Sequence, residues 1–165
     1  MCRGINGRNA IIINCYNEGK IEEKKSVGGI GGDYGAGANC KIINCYNKGK
    51  ILGKMFGGIS GGNNTNTKYV SCYNVGELEG NTKFGISYKG VTENCYYLTG
   101  QGSSTENATE VTSEELKNLA ITLDKTYTID DENNTITINE NTSQNVWKND
   151  TGNKNEGYPI LNWQE

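Results

Sequence analysis

The chain of 165 residues contains no histidine, one proline and two phenylalanines. Without histidine, the most common general base is missing, so a hydrolase built here would have to work through carboxylates. No C-x-x-C pair occurs either, which with the missing histidine argues against structural zinc. No apolar run approaches the ~20 residues a membrane-spanning helix needs. The formal net charge of −3 comes with no Lys/Arg cluster interleaved with aromatics, so nucleic acid is not an expected partner. Nucleotide loops fail as well. "GGIGGDYGAG" places Tyr34 where G-x-G-x-x-G requires its last glycine, and no G-x-x-x-x-G-K-[ST] occurs. No cofactor is expected. Apolar residues make up only 34% of the chain, too few for a thick layered core.

What the chain has in quantity is glycine, 23 residues, and a phrase that repeats. "NCYNEGK" at Asn14–Lys20 returns as "NCYNKGK" at Asn44–Lys50, as "SCYNVGE" at Ser71–Glu77 and, altered, as "NCYYLTG" at Asn94–Gly100. Cys15, Cys45, Cys72 and Cys95 therefore stand at intervals of 30, 27 and 23. A second phrase lies between them: "VGGIGG", "FGGISGG" and "FGIS", centred on Ile30, Ile59 and Ile86. The step from each cysteine to the next such isoleucine is 15, 14 and 14, whereas the step onward to the following cysteine is 15, 13 and 9. One half of the unit is nearly fixed and the other absorbs insertions, as stacked units do when loops leave on one side.

The pattern predicts strands and corners. Ile13, Ile43 and Val70 stand two residues before a cysteine, which in an unbroken strand puts each pair on one face. "N-x-G" at Asn17–Gly19, Asn47–Gly49 and Asn74–Gly76 offers residues that tolerate positive φ, and the corner is expected there. Each repeat thus reads as one coil of a parallel β-solenoid, with coils ~4.8 Å apart. The cysteines are expected to point inward as small apolar fillers. Disulfides between adjacent coils remain an alternative, and Cys2 and Cys40, which fall outside the register, are the cysteines expected to be exposed. If the cysteines point in, Tyr16, Tyr46, Tyr73 and Tyr96 point out as an aromatic ladder. That ladder serves either cross-coil stacking or as a flat strip for glycans or proteins, and these four tyrosines are the candidate ligand-binding residues. The variable loops, Gly32–Lys41 and Gly61–Lys68, are a second candidate contact surface.

"GGIGG…IINCYNKGKI" over Gly28–Ile51 resembles the GLUG repeat, which occurs in tandem in large bacterial surface proteins. The resemblance covers roughly residues 4–100; the fourth copy departs from it, with Tyr97 in place of Asn and Thr99 in place of Gly. It implies an exported, extracellular or cell-surface protein in which further repeats of the same chain lie upstream. The first residues agree with that expectation, because "RGING" runs into "IIINCYN" as "VGGIGG" runs into "KIINCYN".

After Gly102 the language changes. "VTSEELKNL" carries a capping box, Thr112 as N-cap and Glu115 as third residue, with Val111 and Leu116 placed for a hydrophobic staple; a helix is expected at about 112–119. "TYTIDDENNTITI" predicts a hairpin at about 126–138, with Tyr127 and Ile129 facing Ile136 and Ile138. A terminal strand is expected at about 157–163, and segments of the form Gly-Tyr-Pro-Ile-Leu-x-Trp are similar to those that close many GLUG-repeat proteins. The expected class is all-β, a solenoid of about four coils over residues 1–102. Residues 103–165 are expected to form a small carboxy-terminal cap, laying Trp147, Ile160, Leu161 and Trp163 against the last coil. The acidic run Asp130–Glu132 falls in a hairpin turn, a solvated position, and no catalytic residue or metal ligand is assigned. The expected function is a non-catalytic structural or adhesive segment of a bacterial surface protein. The alternatives are an accessory region of a secreted peptidase or carbohydrate-active enzyme, and a glycan-binding module using the tyrosines.

Overall fold

The computed structural model describes residues 9–24, 26–32, 39–104, 107–139 and 142–164. Cys2, the "RGING" segment and most of the first variable loop lie outside them. The chain divides into two compact units, Met1–Val111 and Thr112–Glu165.

The first unit is a parallel β-solenoid. One sheet stacks Ile11–Ile13, Lys41–Ile43, Lys68–Val70 and Val91–Glu93 in that order. A second stacks Tyr16–Asn17, Tyr46–Asn47, Tyr73–Asn74, Tyr96–Leu98 and finally Thr109–Val111. A third is centred on Ile51–Gly57, with Leu78–Phe84 on one side and the broken pair Ile21–Glu22 and Ser26–Gly28 on the other. All these pairings are parallel and join equivalent letters of the repeat: Ile12 lies beside Ile42, Tyr46 beside Tyr73, Ile21 beside Ile51. The sequence reading placed the change of architecture at Gly102; Thr109–Val111 continues the second sheet beyond it.

Each coil turns at the expected N-x-G and also at a second corner that the glycines do not mark. Asn14, Asn44, Ser71 and Asn94, the residues just before each cysteine, hold φ between 50° and 56°. Asparagine tolerates this left-handed backbone because its short side chain hydrogen-bonds locally. The turn there breaks the period-2 pattern, so the expected Ile13–Cys15 face does not exist. Ile12, Ile42 and Tyr69 share the inner core with the cysteines, while Ile13 is 37% exposed. Ile30, Ile59 and Ile86 complete that core from the glycine phrase. A second cluster, Val27, Ile51, Phe56 and Leu78 with Ile21 against it, lines the third sheet.

At "N-x-G" the backbone is bent by the side chain. Asn47 Oδ1 accepts from Gly49 N at 3.2 Å and its Nδ2 donates to Gly49 O at 2.9 Å. Gly49 itself is required for close coil approach, because a Cβ there would stand 2.2 Å from the Gly19 carbonyl oxygen.

The second unit opens with the helix Ser113–Lys117, capped by Thr112 with both halves of the capping box made. A single further turn, Ala120–Leu123, follows it and has no side-chain cap. Thr126–Asp130 and Thr135–Asn139 form the hairpin in the expected register, Tyr127 beside Ile138 and Ile129 beside Ile136. Asp130 accepts from Asn133 N and Nδ2 at 3.1 and 2.8 Å, so this carboxylate of the acidic run closes the turn. Trp147–Lys148 pairs antiparallel with Ile160–Leu161. Trp147, Ile160 and Leu161 are buried, but Trp163 falls in the turn after its strand and keeps 58% of its surface exposed, against expectation.

Candidate functional site

The four candidate tyrosines are brought into one column. Tyr16 stacks on Tyr46 with ring centroids 5.1 Å apart, and Tyr46 on Tyr73 at 5.0 Å with the rings 4° from parallel. Tyr96 takes the next position in register and donates its hydroxyl to Asn94 Oδ1 at 3.0 Å. The column is not an open strip. Tyr46 and Tyr73 have no exposed surface, and Tyr16 and Tyr96 at its ends are half-buried. Stacking at ~5 Å covers both faces of the Tyr46 ring, and the full burial of Tyr46 and Tyr73 removes the flat surface a sugar would need. The sequence reading foresaw the column and misjudged its exposure.

Beside the tyrosines runs an asparagine ladder. Asn17 Nδ2 donates to Asn47 Oδ1 and Asn47 Nδ2 to Asn74 Oδ1, both at 2.8 Å. These amides occupy room left by the glycine phrase: a Cβ on Gly29 would stand 2.5 Å from Asn47 Oδ1, and one on Gly58 would stand 2.2 Å from Asn74 Cγ. The second Asn of "NCYN" and the first glycines of "GGI" are therefore two sides of one contact.

The cysteines form the third column. Cys15, Cys40, Cys45, Cys72 and Cys95 are thiols. Cys15, Cys45, Cys72 and Cys95 each donate to the carbonyl two residues earlier, at 3.2–3.3 Å. Burial pushes the Cys72 thiol well above its ordinary value, and contact with the Cys45 and Cys95 thiols adds to this. Cys40 is fully buried in the same core, against expectation, because it directly precedes the first-sheet strand Lys41–Ile43, and burial raises its thiol too. Tyr69, in the same core, is pushed up to about 12 by burial, against the lowering effect of hydrogen bonds from Ser60 and Ser87. Thiolate is the reactive form of cysteine, so Cys40 and Cys72 are poor nucleophiles at neutral pH.

A surface that the repeat pattern did not point to lies on the third sheet. The break between Ile21–Glu22 and Ser26–Gly28 turns Glu23 and Lys24 outward beside the unbroken neighbouring strand. With Ser26, Lys54, Met55, Asn81 and Thr82 they line a shallow groove of about 890 Å³. Its charged groups have mixed sign, and among the described residues no group of three or more His, Cys, Asp or Glu is placed to hold a metal ion. Nearby, Lys50 reaches Glu79 at 2.6 Å and Glu77 at 3.2 Å, and Lys48 reaches Glu18 at 2.9 Å, joining adjacent coils at the surface. The Glu79 and Glu77 carboxylates hold the Lys50 ammonium above its usual range.

No family model matches the chain, and no curated protein matches it. Among solved structures it is similar to a "putative immunoglobulin A1 protease from Bacteroides ovatus", at a TM-score of 0.60 and 20% identity. The match covers 99% of this chain and spans 60% of that one, so the shared feature is the fold, in a bacterial protein. The fold class is thus all-β, a parallel β-solenoid, and no helix among the described residues is long and apolar enough to cross a membrane.

Proposed function

We propose that the chain is a non-catalytic β-solenoid segment of an exported bacterial surface protein, serving as a rigid spacer that presents contact surfaces. One observation carries this reading. The side chains that the repeat places in register across coils, tyrosine, asparagine and cysteine, are spent on one another inside the stack. Such residues make a stiff column and leave little for chemistry. The surfaces available for adhesion are the groove around Lys54 and Met55 and the loop Gly61–Lys68, which a rod holds away from its anchor. The resemblance to GLUG repeats supports export and a cell-surface location.

A second reading makes the segment an accessory region of a secreted peptidase, favoured by the name of the structural relative. Two measurements separate the readings from a catalytic role. Antibody against this chain should label intact source cells without permeabilisation. The purified chain should leave immunoglobulin A1 and other glycoproteins uncut over prolonged incubation. Cleavage by the purified chain would end the non-catalytic proposal, and labelling confined to broken cells would end the surface assignment.

A further inference from the structure

The cysteine column has a property that packing alone does not use. Its members are far apart in sequence but stand at equivalent corners of adjacent coils, one residue before the in-register pairs Tyr16–Tyr46, Tyr46–Tyr73 and Tyr73–Tyr96. Parallel neighbours are ~4.8 Å apart, inside the ~4.4–6.8 Å range of Cα separations that a disulfide spans. Each inner sulfur leans toward the coil before it. Cys15 N donates to Cys45 Sγ at 3.4 Å, and Cys45 Sγ lies 3.8 Å from Ile12 O. Cys72 Sγ reaches Ile42 O and Cys95 Sγ reaches Tyr69 O, both at 3.4 Å. Access is unequal. Cys45 and Cys72 are fully buried and Cys95 is 1% exposed, whereas Cys15 is half-buried.

We infer that this column is an oxidation site that takes a small-molecule disulfide as co-reactant and closes a Cys15–Cys45 bond, clasping the first coil to the second. The Cys15 thiolate attacks one sulfur of the oxidant, forming a mixed disulfide and expelling one thiolate, which takes up the proton Cys15 lost. Cys45 Sγ then attacks the Cys15 sulfur, the mixed disulfide breaks, and the second thiolate leaves with the Cys45 proton. Two protein thiols are oxidised and one small disulfide is reduced to two thiols. Position selects the pair. Cys15 is the member that solvent reaches, and its neighbour in the column is Cys45. A Cys45–Cys72 bond would instead leave Cys15 and Cys95 three coils apart, each beside an occupied partner. The inference does not depend on the function proposed for the rod.

The whole chain is titrated with oxidised glutathione at mildly alkaline pH, quenched by alkylation, digested and mapped by mass spectrometry. The expected first product is a Cys15–Cys45 linked peptide, formed unchanged in Cys72→Ser and absent in Cys15→Ser. Hydrogen exchange at Ile12 and Tyr16 should slow by about a hundredfold on oxidation, as loop closure across that span predicts. Wild-type mapping alone decides the matter even if a variant fails to fold. A Cys45–Cys72 bond, a Cys15 bond to any other cysteine, a glutathione adduct that persists on Cys15, or no reaction at all would each overturn the inference.

Discussion

Replacing Asn47 by alanine removes the centre of the asparagine ladder, and its cost can be worked bond by bond. Asn47 is fully buried and makes four hydrogen bonds: from Asn17 Nδ2 at 2.8 Å, from Gly49 N at 3.2 Å, to Asn74 Oδ1 at 2.8 Å and to Gly49 O at 2.9 Å. Some partners keep a second bond, since Asn17 Nδ2 also reaches Gly19 O and Asn74 Oδ1 also accepts from Gly76 N. The Gly49 carbonyl loses the amide that turned the corner. At ~1 kcal/mol net per bond, and more for a buried group left short, Asn47→Ala should cost about 3–4 kcal/mol. Asn17 occupies the same slot at the coil edge, where its two bonds to Gly19 are exposed and water replaces them. Only its third bond, to Asn47 Oδ1, is partly buried, so Asn17→Ala should cost about 1 kcal/mol. Urea unfolding followed by far-ultraviolet circular dichroism measures both midpoints in matched samples. Equal losses, within about 0.5 kcal/mol, would refute the claim that the ladder draws its strength from burial between coils.

Other expectations share the same basis. Gly58→Ala should destabilise strongly or prevent folding, because the new Cβ would stand 2.2 Å from Asn74 Cγ and 2.3 Å from the Gly85 carbonyl oxygen. Gly32→Ala, with nothing within 4 Å, should leave the unfolding midpoint unchanged, so a similar loss at both sites would sink the close-approach argument. Stability should also fall on the alkaline side. Cys40 and Tyr69 have raised values when folded, so above the ordinary thiol value of 9.0 the unfolded chain loses protons that the folded chain keeps. Each such group then removes about 1.4 kcal/mol of stability per pH unit. A midpoint flat from neutral pH to above the ordinary tyrosine value would contradict the buried placement of both.

The stack was legible because its evidence is repetition: identical letters at related intervals have one simple arrangement, each above the last, and Tyr16, Tyr46, Tyr73 and Tyr96 adopt it. The helix at Ser113–Lys117 was legible because a capping box is local. Side-chain direction was not. Assigning faces by alternation presumes an unbroken strand, and one left-handed residue at Asn14 or Asn44 rotates everything after it. The signal was present in the recurring Asn or Ser before each cysteine, a residue type suited to that backbone, but the conspicuous N-x-G marks only the other corner of the coil. Exposure of the tyrosines was misjudged for a related reason. A column one ring wide has covered faces by construction, and pattern alone does not report what remains open at its edges. The groove around Lys54 arises from a strand that breaks in one coil and continues in the next, a difference between repeats that a search for sameness passes over.

The altered fourth copy shows how the two phrases depend on each other. Where two coils place Asn47 and Asn74 against the glycine phrase, the fourth places Tyr97, and a Cβ on Gly85 would stand 2.1 Å from its ring. Tyr97 is 2% exposed and packs in the inner core with Ala108. A terminal asparagine would gain one amide bond from Asn74 and have no amide to receive its own donor, whereas the ring fills the space apolar side to apolar side. Tyr97→Asn restores the repeat's own letter, yet it should destabilise. One new bond returns about 1 kcal/mol, while truncating a buried aromatic costs about 3 kcal/mol or more. The net expectation is a loss near 2 kcal/mol by urea unfolding. A more stable variant would mean that the fourth slot is an ordinary member of the ladder, and that the end of the stack is set by something other than this ring.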